Sequence, residues 1–231
     1  MSVNALNNGG KCASLGPWGL TNRLSPQLKW LKSKGERTLP QEFWSWFKEN
    51  LDTLNKYEPG MEGVLDLISG ALRAYNPKLA FEISQPVNGV REFVISAEGV
   101  IDEFQSVIDL YEARPELEGW EIIAFRPKMP LEYIVNYGGL QLDPADLWIY
   151  WREDEGNFDL IVYFPDYRDE QRNTFVEAAY ILLDMAIGEY YVTAGIRYID
   201  HQKLPESPEQ YGLIPFKSLP EVFFDYIDRK G

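Results

Sequence analysis

Apolar positions along this chain change period more than once, and each change predicts a different kind of element. Phe43, Trp44, Trp46, Phe47, Leu51 and Leu54 recur at helical spacing behind Pro40, Gln41 and Glu42, which predicts a helix over residues 40–57. Pro59 and Gly60 break it. Val64, Leu65, Ile68, Leu72 and Tyr75 then predict a second amphipathic helix that stops before Asn76 and Pro77. The period next falls to two. Residues 79–84 and 91–97 alternate on either side of Asn88-Gly89, a pair suited to the left-handed backbone of a tight hairpin turn. A helix follows, with Ile101, Phe104, Val107, Ile108 and Tyr111 on one face. In residues 120–126 both alternating sets are mostly apolar, which predicts a strand covered on two faces and central in a sheet.

Beyond Pro130 the periods return in the same order. Residues 133–135 and 140–142 suggest short strands around Tyr137-Gly138-Gly139, and residues 147–151 and 158–164 predict a hairpin with an acidic tip. Asp166 is placed to cap a helix running through Phe175, Ala179, Leu182 and Ala186, with Gly188 as its stop. Residues 190–199 read as a strand, and Pro220 opens a short C-terminal helix. Residues 79–126 and 147–199 therefore share the order strand, hairpin, strand, helix, strand. The expected fold class is α+β, a mostly antiparallel sheet with helices packed on one face, built from two similar strand-hairpin-helix-strand units. Residues 1–38, interrupted by Gly, Asn and Pro, are expected to form a basic, largely irregular leader, with Trp18, Leu24, Leu28 and Trp30 as apolar anchors. Residues 39–231 are expected to form a single α+β domain, or two halves over 59–128 and 131–231.

Several strings within these elements carry a resemblance. They are Phe43-Trp44-x-Trp46-Phe47, residues 79–83 with residues 91–97, the run from Gly119 to Pro127, Gly188-Glu189-Tyr190, and Leu213-Ile214-Pro215 with Leu219-Pro220. Over residues 41–228 the chain resembles a bacterial domain family of uncharacterised function, most specifically in the run ending Phe125-Arg126-Pro127. The resemblance implies a bacterial, soluble α+β domain. It brings no activity, substrate or catalytic residue with it.

Composition changes this picture in five respects. With 231 residues, 45% of them hydrophobic, the chain is long enough to bury a sizeable core. A net charge of −14, from 22 basic and 36 acidic side chains, argues against a surface that tracks nucleic-acid phosphates. Residues 1–40 run against that balance, with six basic side chains opposed only by Glu36. The single cysteine, Cys12, precludes an intrachain disulfide, so a cytoplasmic location is expected. Charges interrupt every apolar stretch short of the roughly 18 residues of a membrane span.

Candidate chemistry is sparse. His201 is the sole histidine, which rules out a metal site with two imidazoles from one chain, and no Gly-x-Ser-x-Gly nucleophile elbow is present. At the end of a strand beside Asp200, His201 is expected to be exposed. Glu153-Asp154-Glu155-Gly156 lacks the spacing of a calcium loop, and neither Gly9-Gly10 nor Gly138-Gly139 has that of a phosphate loop. No catalytic residue, metal ligand or cofactor is assigned. Arg126, Arg91 and Arg197 are candidate members of an anion pocket, against an alternative in which Arg126 holds a strand end through an ion pair. Trp148 and Tyr150 are candidate binding residues if one face of their strand is uncovered. The expected function is a non-catalytic acidic protein-binding module, of immunity or regulatory type, with a basic protein partner. The alternatives are an enzyme or small-ligand binder using a carboxylate and arginine pocket, and a homo-oligomeric accessory domain. Neither nucleic acid nor membrane is an expected partner.

Overall fold

The computed structural model describes residues 38–230 and the backbone of one strand of the leader, β1 (Cys12–Ser14). The rest of the expected leader, with its apolar anchors, lies outside the described residues. The fold is α+β, and the described chain divides into two compact units between Phe125 and Arg126.

The first unit contains α1 (Pro40–Glu49), α2 (Leu51–Leu54), α3 (Glu62–Tyr75), β2 (Ala80–Ser84), β3 (Arg91–Ser96), α4 (Phe104–Glu112) and β4 (Trp120–Ala124). Pro40 opens α1, and the Leu39 N–H donates to the Glu42 carboxylate at 3.1 Å. The helix expected to reach residue 57 is interrupted at Asn50, whose side-chain amide donates to the Trp46 carbonyl. Strand order is β1-β2-β3-β4, the first two pairings antiparallel and β3–β4 parallel. At the predicted hairpin Asn88 (φ 52°) and Gly89 (φ 81°) both adopt the left-handed backbone that matches the twist of the strands. Phe81, Ile83, Phe93, Ile95, Trp120 and Ile122 share the core, where the Phe47 ring lies 5.3 Å from Phe93 and 5.0 Å from Trp120.

The central-strand expectation for residues 120–126 needs correction. It is β2 and β3, not β4, that are flanked on both sides, and β4 stands at the sheet edge among the described residues, with Glu121 exposed. The crossover through α4 sets β4 beside β3, after which the chain turns away. Phe125, at φ 63°, adopts the left-handed backbone just after Ala124, where the strand ends.

The second unit contains β5 (Val135–Tyr137), β6 (Leu140–Leu142), β7 (Trp148–Asp154), β8 (Asn157–Phe164), α5 (Arg172–Ile187), α6 (Glu189–Gly195), β9 (Ile196–Lys203), β10 (Ile214–Pro215) and α7 (Leu219–Asp228). Strand order is β10-β7-β8-β9, again antiparallel, antiparallel, then parallel, while β5 and β6 form a separate hairpin. The repeated element order of the sequence is thus a repeated topology, housed in two four-stranded sheets rather than one. Ile149, Phe158, Leu160, Val162 and Phe164 pack with Phe175, Leu182 and Phe223 of the helices.

Two local expectations fail in this unit. Asp166 does not cap α5, because a 3₁₀ turn, Asp169–Gln171, intervenes, and buried Tyr167 packs its ring 5.2 Å from Phe175. Residues 190–195 are helical rather than extended. The alternation there is too short to separate the two periods. Helix α6 starts where Glu189 clamps Arg126, its N–H donating to the Arg126 carbonyl (3.0 Å) and its carboxylate accepting the Arg126 N–H (3.1 Å).

Gly188 stops α5 as expected, with φ 88° and ψ 146°, a region close to exclusive to glycine. A Cβ there would also approach the Arg126 carbonyl oxygen to 3.3 Å. Gly188→Ala is therefore expected to lower unfolding free energy by about 2 kcal/mol, measured by urea denaturation. An unchanged midpoint would show that the backbone relaxes at this junction.

Candidate functional site

Alternate residues of a strand face opposite sides of its sheet, and in the second unit the two sides differ sharply. One side meets the helices. The other carries Trp148, Tyr150 and Arg152 from β7, Asp159, Ile161 and Tyr163 from β8, and Tyr198, Asp200 and Gln202 from β9. Trp148 lies opposite Tyr163, Tyr150 opposite Ile161, and Asp159 opposite Tyr198. None of these residues belongs to the core cluster formed with the helices, and Tyr150 and Tyr198 are 37% and 53% exposed. Trp148 and Tyr150 thus sit on the less covered face that the sequence left open for them. Tyr163 and Tyr198 escaped the sequence reading because only strand register brings them alongside.

An ion network closes one end of this face. The register shift after Phe158 turns Arg197 toward Asp159, which accepts from Arg197 Nε at 2.8 Å and Nη2 at 2.5 Å, and from Arg152 at 3.2 and 3.3 Å. Arg197 Nη2 also reaches Asp154 at 2.6 Å. These bonds, led by those from Arg197, hold the Asp159 carboxyl below its usual range and raise the Arg197 guanidinium above its own. Farther along, burial raises the Tyr163 phenol, and the charges of Asp200 and Tyr150 add to the effect.

Each of the three candidate arginines is engaged within its own unit. Arg91 lies in the first unit, 4% exposed, donating to the carbonyls of Ser84 (2.7 Å), Tyr57 (3.0 Å) and Asn55 (3.4 Å). Arg197 is occupied by two carboxylates. Arg126 faces Asp184 at 3.9 Å, so the ion pair weighed for it is present, at a helix rather than a central strand.

His201 departs from its expected exposure. It pairs in register with Val162 on the helix-facing side, is 3% exposed, and has its ring centroid 6.2 Å from Phe164 and 6.4 Å from Tyr180. Neither ring nitrogen has a hydrogen-bond partner among the described residues. Burial pushes its pKa down to about 4, with Asp200 opposing the shift and Arg172 reinforcing it. His201 lines an open cleft of about 340 Å³ together with Tyr167, Asp169, Arg172, Asp200, Gln202 and Lys203. Within it Arg172 donates to the Tyr167 hydroxyl (3.0 Å) and to Asp200 (3.2 Å). Among the described residues no three His, Cys, Asp or Glu side chains are grouped to hold a metal ion, and no helix is long and apolar enough to cross a membrane. No protein-family model, curated protein or solved structure matches this chain, so a reading of its function rests on these two surfaces.

Proposed function

We propose that this chain is a non-catalytic binding module, of immunity or regulatory type, that engages a basic protein partner in the bacterial cytoplasm. The observation that carries the reading is the aromatic face of the second sheet, where Trp148, Tyr150, Tyr163 and Tyr198 lie on three adjacent strands outside the helix-packed core. Tyr and Trp bury large area at little entropic cost and dominate interface energetics. Residues 126–231 hold 10 basic and 19 acidic side chains, a balance of −9, which speeds encounter with basic proteins and repels nucleic acid.

The test is recovery of a partner from bacterial lysate on the full chain at low and high salt, followed by affinity measurements with the purified partner. A basic protein should be retained in a salt-sensitive manner. The double variant Tyr150→Ala, Tyr198→Ala should bind it about 10- to 100-fold more weakly. Tyr180→Ala, which alters a 44% exposed tyrosine of α5 on the helix side of the sheet, should bind as wild type. Equal affinity for all three proteins would move the interface elsewhere, and retention of no protein would defeat the binding-module reading.

A further inference from the structure

We infer that the cleft lined by Tyr167, Arg172, His201 and Lys203 is a binding site for a small, singly charged carboxylate. It lies at the carboxyl ends of the parallel pair β8 and β9 and at the start of α5, the helix that crosses between them. Ligands favour that place in sheets with parallel strands, because side chains from strand ends and the free N–H groups of a helix N-terminus converge there. Position alone does not make a site. The second observation is the His201 imidazole, nine-tenths buried in the cleft wall with both nitrogens unpartnered among the described residues. A buried polar ring with unmet hydrogen bonds calls for an atom that the described side chains do not supply.

The donors that remain define the ligand. Arg172 spends N–H groups on Tyr167 and Asp200, leaving others of its five to donate. The Tyr167 hydroxyl accepts from Arg172 and keeps its own proton to give. Lys203 is exposed at the rim and forms no ion pair among the described residues. Asp200 is answered by Arg172 and by the Gln202 amide at 3.2 Å. Asp169 is the remaining carboxylate of the lining, and it opposes a second negative charge on the ligand. One carboxylate set against Arg172 and Lys203 satisfies the donors, whereas a phosphate dianion would meet Asp169 unfavourably. This site does not depend on the protein-partner reading, and either can fail alone.

The sole histidine gives the test an unambiguous reporter. The imidazole resonances of the labelled full chain are followed at pH 7.5 during separate titrations with sodium acetate, inorganic phosphate and sodium chloride at matched ionic strength. Acetate is expected to shift the His201 signals saturably, phosphate to do so more weakly, and chloride not at all. Arg172→Gln should weaken acetate binding about tenfold, since a guanidinium–carboxylate pair is charge-assisted and two-pronged. Lys203→Gln, an exposed change that spares the fold, should weaken it severalfold. A ring that ignores acetate, or answers chloride equally, would overturn the proposal. So would tighter binding of phosphate than of acetate, or unaltered acetate binding in the Lys203 variant.

Discussion

Replacing Arg91 with alanine is expected to cost the first unit about 4 kcal/mol of stability, the sum of several charge-assisted hydrogen bonds lost at a buried site. The guanidinium is almost wholly enclosed, and no carboxylate lies within ion-pair distance of it among the described residues. Its partners are the carbonyls of Ser84 on the sheet and of Asn55 and Tyr57 after α2, so it ties a helix-side loop to the β2–β3 hairpin. The rings of Tyr57 and Trp120 lie 5.5 and 5.7 Å from its Cζ and add cation–π attraction. Burial draws its pKa downward, yet a guanidinium stays charged at any pH where the protein folds. Alanine would strand these carbonyls away from water and open a cavity. Lysine restores the charge but not the fork, and should recover less than half of the loss. Urea denaturation combined with hydrogen exchange over residues 40–125 measures the effect within this unit. A loss below about 1 kcal/mol would mean that water replaces the arginine without penalty.

Acidification should destabilise the second unit through His201. Unfolded, the imidazole titrates near its ordinary value of about 6.5, whereas folded it resists protonation down to about 4. Between those values the unfolded state binds the proton that the folded state refuses. Stability from this group is therefore complete above about pH 6.5 and falls by about 3 kcal/mol as the pH drops to 4. Phe164 and Tyr180 wall the ring, and Asp200 and Arg172 act on it with opposite sign. His201→Leu should flatten this part of the pH profile. It should not weaken the unit at pH 7.5, because the ring nitrogens have no described partners to lose. Urea midpoints of both proteins at pH 7.5 and 5.0 decide the matter. Parallel losses in the two would assign the acid sensitivity to other groups.

What was legible in the sequence was local. The left-handed turn at Asn88-Gly89 and the helix ends at Pro40, Gly188 and Pro220 depend on φ preferences and on hydrogen bonds that close within a few residues. The same holds for the apolar faces of α1, α3 and α4, and the shared element order of the two units followed from such signals. So did the placement of Trp148 and Tyr150 together on one side of β7, since alternation shows that large rings occupy both sides of that strand.

Tertiary structure decided whatever depends on which strand lies beside which. Residues 120–126 have the composition of a central strand, but pairing places β4 at an edge. Arg91 looks like a surface charge until the hairpin folds it against the carbonyls of residues 55 and 57. His201 and Asp200 are neighbours in sequence, and only the register of β9 against β8, with its shift after Phe158, turns one toward the helices and the other away. A one-residue slip in that register would exchange them, carrying the imidazole into solvent and the carboxylate into the core. The pattern of residue types along the chain thus set the elements and their faces. Their order and register, and with them the aromatic face and the cleft, came from long-range pairing, in which the energy of burying one strand's face depends on residues tens of positions away.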